Sequence, residues 1–253
     1  MAANKIVVPI HGVSAPPSAA AKHLTYGGGP LLASVQVYTI FWGAAWQQPP
    51  QSAQILHVNQ FFDSILTSTL LDLLAEYSVN GQTISHGQRI GSTTITDSVP
   101  GGGSGQITDA QIQQAILAWI ANGTIPPANR DTLYFVYLPP NVAAADPQGG
   151  ASCTQMCGYH WYISGTTPEV YYAVMPFPCP SGCVGPLNQT DALTSISSHE
   201  LCEAITDPHP WNGWNDSING EIGDICAWQT DTVNGFIVQK EWSNARGTCV
   251  VAP

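Results

Sequence analysis

The chain has 253 residues, 44% of them hydrophobic, which is enough for one large core. Its net charge of −11 argues against nucleic acid and anionic membrane as partners, because their phosphates would be repelled. No apolar run reaches the roughly 20 residues that span a bilayer. With only 9% charged residues, the surface falls to Ser, Thr, Asn, Gln and Gly, a habit commoner in secreted proteins.

Residues 1–29 mix Pro, Ala and Ser and close on Gly27, Gly28, Gly29 and Pro30, the composition of an extended N-terminal arm. A single domain over 30–253 follows. Residues 35–42 (VQVYTIFW) read as a buried strand ending at Gly43. Apolar residues at 55, 58, 62, 65, 66, 70, 73 and 74 predict one long amphipathic helix over 54–77, a scaffold element. The alternating stretch around Asn80-Gly81 and Gly91 predicts hairpin strands. Gly101–Gly105 (GGGSG) reads as a flexible loop, and Thr108 with Gln111 makes a capping box for a helix over 109–121, stopped at Asn122-Gly123. Strands are expected at 131–138, 159–163 and 170–175, with a loop over 141–151. Thr190 is placed to cap a second major helix, which Pro208 ends. A last strand spans 236–242. The fold class is therefore α+β or α/β: a mixed sheet, a long scaffold helix and a helix carrying a metal site.

That last helix holds His199 and Glu203, four residues apart and so on one face, within reach of a single ion. Between Arg130 and Lys240 there is no Lys or Arg, yet eleven of the seventeen acidic residues lie there. Six of them (Glu200, Glu203, Asp207, Asp216, Glu221, Asp224) fall within 25 positions. Carboxylates crowded into a partly buried site must take up protons, find donors or bind a cation. A histidine among them favours zinc over magnesium or calcium, which prefer oxygen shells. One Zn2+ is expected, on His199, Glu203, and Asp207 or Asp224.

Seven cysteines fall in the second half, at 153, 157, 179, 183, 202, 226 and 249. They predict an oxidising compartment with Cys179–Cys183 and Cys226–Cys249 as bridges and at least one residue unpaired. The start MAANKIVVPIHG lacks a long apolar h-region, so the chain reads as a mature secreted form or a recombinant one. Sequons stand at Asn122, Asn188 and Asn215.

Several segments together resemble the EXORDIUM or phosphate-induced protein family and its bacterial and fungal relatives. They are GPLLASVQVYTIFWGAAW, CGYH at 157–160, YYAVMPFPCPSGC at 171–183, SHELCEAITDP at 198–208 and GEIGDIC at 220–226. The resemblance implies a secreted or cell-wall-associated protein with a growth-regulatory role, and it ties Asp224 in the GEIGD turn to the His199 helix. The chain departs from the plant pattern in having Asp207 where asparagine is common and in adding Cys153 and Cys202. The H-E-x-x-E helix also resembles the active-site helix of zincin metallopeptidases with a glutamate for the second histidine. His209 stands where metzincins carry a third ligand, but Thr206 replaces their turn glycine.

Two functions follow from these residues. One is a zinc-dependent hydrolase of peptide bonds, with Glu200 as general base on a water polarised by the ion and His160 as an added ligand or oxyanion donor. The other is a non-enzymatic extracellular protein that uses the metal site structurally and binds a carbohydrate or protein, with Trp211 and Trp214 suited to sugar stacking. A glutamate in place of a neutral histidine lowers the Lewis acidity of zinc, which weakens the first. The expected partner is a peptide or protein substrate, or a cell-wall carbohydrate, met by a monomer.

Overall fold

The computed structural model describes residues 7–12, 21–100 and 105–253. The loop expected at 101–105 lies outside them except for Gly105, as do residues 1–6 and 13–20 of the expected arm. The framework is a six-stranded mixed sheet built from β1 (Val7–Pro9), β2 (Gln36–Trp42), β3 (Gln88–Ile95), β4 (Thr132–Tyr137), β5 (Met156–Ile163) and β6 (Val170–Met175). Across the sheet the order is β1-β5-β6-β4-β2-β3. The four strands from β6 to β3 run parallel, whereas β5 is antiparallel to β6 and β1 antiparallel to β5.

Helices cover both faces. Helices α1 (Gln51–Ile65), α2 (Thr69–Leu74) and α4 (Gln189–Thr206) share one core with Phe41, Phe135 and Met175. Helix α3 (Asp109–Ala121) packs Ile112, Ile116 and Trp119 with Ile40, Val136 and Val174 on the opposite face. The alternation of side chains along a strand assigns neighbours in sequence to opposite cores. Central β4 is buried at all six positions, so its sequence TLYFVY is a nearly continuous apolar run. Edge strand β3 keeps four of its eight residues only partly buried and three exposed.

The helix expected over 54–77 is broken. The first piece ends at Ile65 with Leu66 as its cap, and Ser68, extended and accepting from Leu70 N–H, caps the next, before a 3-10 turn over Ala75–Tyr77. The apolar spacing runs across the break because both pieces bury the same side. The hairpin expected around Asn80-Gly81 reduces to a bridge between Val79 and Gln82, and β3 pairs with β2 in parallel instead. The capping box at Thr108 and Gln111 forms. Part of the expected arm is extended and packed: Val7 and Val8 are buried at the sheet edge, and Thr25–Tyr26 pairs with Trp214–Asn215.

Three disulfides staple the second half: Cys153–Cys179, Cys157–Cys183 and Cys226–Cys249, with Cys202 a buried free thiol. The expected Cys179–Cys183 bridge is therefore corrected, because each of these cysteines reaches back to the start of β5. Denaturing the protein without reductant is expected to expose one alkylatable thiol, and reduction all seven. Mass spectrometry showing three or more thiols before reduction would contradict this bridge set.

Candidate metal centre

Helix α4 begins at Asn188, whose side chain accepts from Thr190 and Asp191 N–H; the cap thus falls two residues before the expected Thr190. Every residue from Ala192 to Thr206 is buried. A helix enclosed on all sides needs partners for its polar residues. Thr194 donates to Ile237 C=O at 2.7 Å, Ser197 bonds the Tyr137 hydroxyl at 2.8 Å, and Ser198 accepts Gln239 N–H at 2.9 Å. The serines of the run SISS are small and polar where α4 is wedged between the sheet and the hairpin over 230–239, while Ile196 joins the core.

Two glycines allow close approaches to the stretch of α4 that carries His199 and Glu200. A Cβ on Gly158 would stand 2.9 Å from Ile196 and 3.3 Å from Glu200 Oε1, and one on Gly223 would stand 2.7 Å from His199 Nδ1. These positions explain the glycines in CGYH and GEIGD. A Cβ at either would push the helix away from β5 or from the 220–224 turn.

The approach brings together His160 from β5, His199, Glu200 and Glu203 from α4, Glu221 and Asp224 from the turn, and Glu241 from the strand Glu241–Ser243. His160 Nδ1 lies 3.1 Å from Glu200 Oε2 and 3.6 Å from Glu203 Oε2. On its other side His160 Nε2 faces the Asp207 carbonyl at 3.2 Å and Glu221 Oε1 at 3.6 Å. His199 Nε2 is 2.9 Å from Glu203 Oε1 but out of line for a hydrogen bond, and Asp224 N–H donates to that same oxygen at 3.1 Å. Two overlapping groups could hold an ion: His160 with Glu200 and Glu203, and His199 with Glu203 and Asp224.

No Lys or Arg among the described residues pairs with any of these carboxylates. Glu203 Oε2 and both oxygens of Glu221 and Glu241 are buried with no hydrogen-bond partner. Burial, reinforced by neighbouring negative charges, pushes the carboxyls of Glu221, Asp224 and Glu241 well above the ordinary range. Burial also raises Glu200, with the His160 hydrogen bond opposing it. For His160, burial pulls the imidazole down, but the hydrogen bond and charge of Glu200 and the charge of Glu203 more than offset it and hold it above its usual value.

The other sequence candidates have different partners. Asp207 ends α4, and its carboxylate accepts N–H bonds from Trp211 (2.8 Å), Asn212 (3.2 Å) and Gly213 (2.5 Å). It organises the loop after the helix, and it is the carbonyl of Asp207 that meets the cluster. His209 stacks on Tyr162 with ring centroids 3.9 Å apart and bonds Glu169 at 2.6 Å, outside the cluster. Trp214 packs against Tyr26 and Tyr77 and donates to Tyr77 C=O, so it belongs to the core side of the molecule. Cys153, Cys179 and Cys183 converge as a sulfur group, but all three are in disulfides and offer no thiolate.

Gln239 and Glu241 are absent from the expected site, and Glu221 belongs to its expected acidic cluster without being named a ligand. For Glu241 the available signal is strand alternation: Lys240 turns out to pair with Asp231 at 3.3 Å, so its neighbours turn in. A cavity of about 320 Å³ lies elsewhere, against Pro140, Phe177 and the Cys153–Cys179 bridge, and none of the clustered acids lines it. No helix among the described residues is long and apolar enough to cross a membrane.

No family model, curated protein or solved structure matches the chain.

Proposed function

We propose that this chain is a non-enzymatic extracellular or cell-wall protein, EXORDIUM-like in its ordered motifs, in which one buried divalent ion ties α4 to the sheet and to residues 220–241. The observation that carries this reading is the pairing of zero exposure with unpartnered carboxyl oxygens. His160, Glu200 and Glu203 are all 0% exposed, yet Glu203 and Glu221 keep oxygens with no donor. A buried carboxylate without a partner costs several kcal/mol, and a divalent ion removes that cost for several carboxylates at once. The mixed imidazole and carboxylate donor set suits zinc.

The same burial weighs against peptide hydrolysis. A general base must touch the water or substrate it deprotonates. Glu200 instead accepts Val8 N–H on Oε1 at 3.3 Å and faces His160 with Oε2. Three disulfides fit an oxidising setting. A partly exposed shelf of Trp161, Tyr162, His209 and Trp211, in mutual ring contact, supports carbohydrate as the partner class.

Protein purified without added metal is expected to hold about one tightly bound ion per chain. A peptide-library digest is expected to show no cleavage that a chelator suppresses. Metal content far below stoichiometric, with no thermal shift on adding zinc, would overturn the ion. Chelator-sensitive cleavage abolished by Glu200→Gln would restore the hydrolase.

A further inference from the structure

Which histidine holds the ion is decided by what each ring nitrogen faces. A neutral imidazole has one nitrogen that donates and one that accepts, and only the lone-pair nitrogen can bind a metal. Metal-ligating histidines accordingly donate their other N–H to a carbonyl or carboxylate.

His199 has the wrong neighbour for this. Its Nδ1 lies 2.7 Å from Gln239 Nε2, an amide NH2. That amide cannot turn over, because Nε2 also donates to Gly223 C=O at 2.9 Å and Oε1 accepts Trp228 N–H at 3.1 Å. Gln239 is 2% exposed, so water does not substitute for either bond. His199 Nδ1 therefore accepts, and Nε2 carries the hydrogen. The nitrogen that points at Glu203 has no lone pair to give.

His160 has the opposite surroundings. Both of its nitrogens face oxygens, Nε2 the Asp207 carbonyl and Glu221, Nδ1 Glu200 and Glu203, so Nε2 can keep its hydrogen on the carbonyl while Nδ1 gives up its proton to an ion bound between the two glutamates. Each of those glutamates has one oxygen held by a backbone amide, Val8 N–H for Glu200 Oε1 and Asp224 N–H for Glu203 Oε1. The second oxygen of each turns to His160 Nδ1, at 3.1 and 3.6 Å. Donors about 2.0–2.1 Å from a tetrahedral ion stand about 3.3 Å apart, close to the 3.1 and 3.6 Å that separate His160 Nδ1 from the two glutamate oxygens.

Building on the structural-ion reading above, we propose that the ion is held by His160 Nδ1, Glu200 Oε2 and Glu203 Oε2, and that His199 is a hydrogen-bond donor beside the centre. Glu200 is then a ligand, and the two carboxylates balance the charge of a divalent ion.

The test is cadmium-113 substitution of the full chain labelled with nitrogen-15 histidine, using cadmium alone as the probe. One imidazole is expected to couple to cadmium through Nδ1, with a second imidazole in the Nε2–H form and uncoupled. Coupling through Nε2, or bound cadmium with no histidine coupling, overturns the assignment while leaving a structural ion in place. Failure to bind cadmium or zinc at all overturns the proposed function itself. His160→Gln is expected to weaken cadmium binding by more than the roughly 10–100-fold that outer-shell changes cost, whereas His199→Gln keeps a full equivalent. If His160→Gln does not fold, the wild-type coupling pattern alone gives the answer.

Discussion

Removing the ion with a chelator at pH 8 is expected to lower the melting temperature by on the order of 10 °C, and acidifying the stripped protein to pH 5 is expected to restore part of the loss. The first figure follows from about 4 kcal/mol for a ligand held at a thousand times its dissociation constant, spread over a domain of this size. The second follows from the carboxyls. Glu221, Asp224 and Glu241 are pushed well above the ordinary range, by burial first and then by neighbouring charges, and burial raises Asp207 to about 6. Groups raised in this way bind more protons folded than unfolded. The stability they contribute is complete below about pH 4 and is lost as pH rises through 6 and beyond. Ion binding has the opposite dependence, because its ligands must lose their protons. Melting curves from pH 5 to 8 with and without chelator should therefore diverge as pH rises. Parallel curves would show that no ion offsets these charges.

Glu203→Gln is expected to abolish both the ion and the response to chelator. Glu203 belongs to both possible groups, with one oxygen toward His199 and Asp224 and the other toward His160. The amide keeps the side-chain volume, and its oxygen can still accept Asp224 N–H. Its NH2 then points at His160 Nδ1 and fills the position of the ion with a donor. Binding should weaken by about a hundredfold or more. At pH 8 the variant should melt above chelator-treated wild type, since one buried charge is gone. Calorimetry with zinc and a chelator titration measure both effects. A variant that retains wild-type zinc affinity, or that melts below the stripped wild type, would place the role of Glu203 in packing alone.

The helix bearing His199 and Glu203 could be read from spacing, and its end from Pro208. The Cys226–Cys249 bridge and the Thr108–Gln111 box were also readable, because each is a local pattern or a pair of flanking residues. The partner of the helix was harder to place. His160 could be named as an added ligand, but its position against Glu200, forty residues away on an antiparallel strand, could not be read; the glycines in CGYH and GEIGD hint that these segments pass close to α4. The role of Asp207 depended on a loop fold that residue types do not announce. Least legible was Gln239, an ordinary strand glutamine whose two backbone partners fix the hydrogen on a histidine forty residues away.

The short strand β1 lies over the cluster: Val8 N–H is on Glu200, and Pro9 C=O accepts from Trp228 Nε1 at 2.7 Å. His160, Glu200 and Glu203 are 0% exposed, so an ion held among them would exchange only as fast as this sheet edge peels away. Occupancy in a given sample would then record which metal was present when the chain folded, and competing ions added later would equilibrate on the timescale of local unfolding rather than of diffusion.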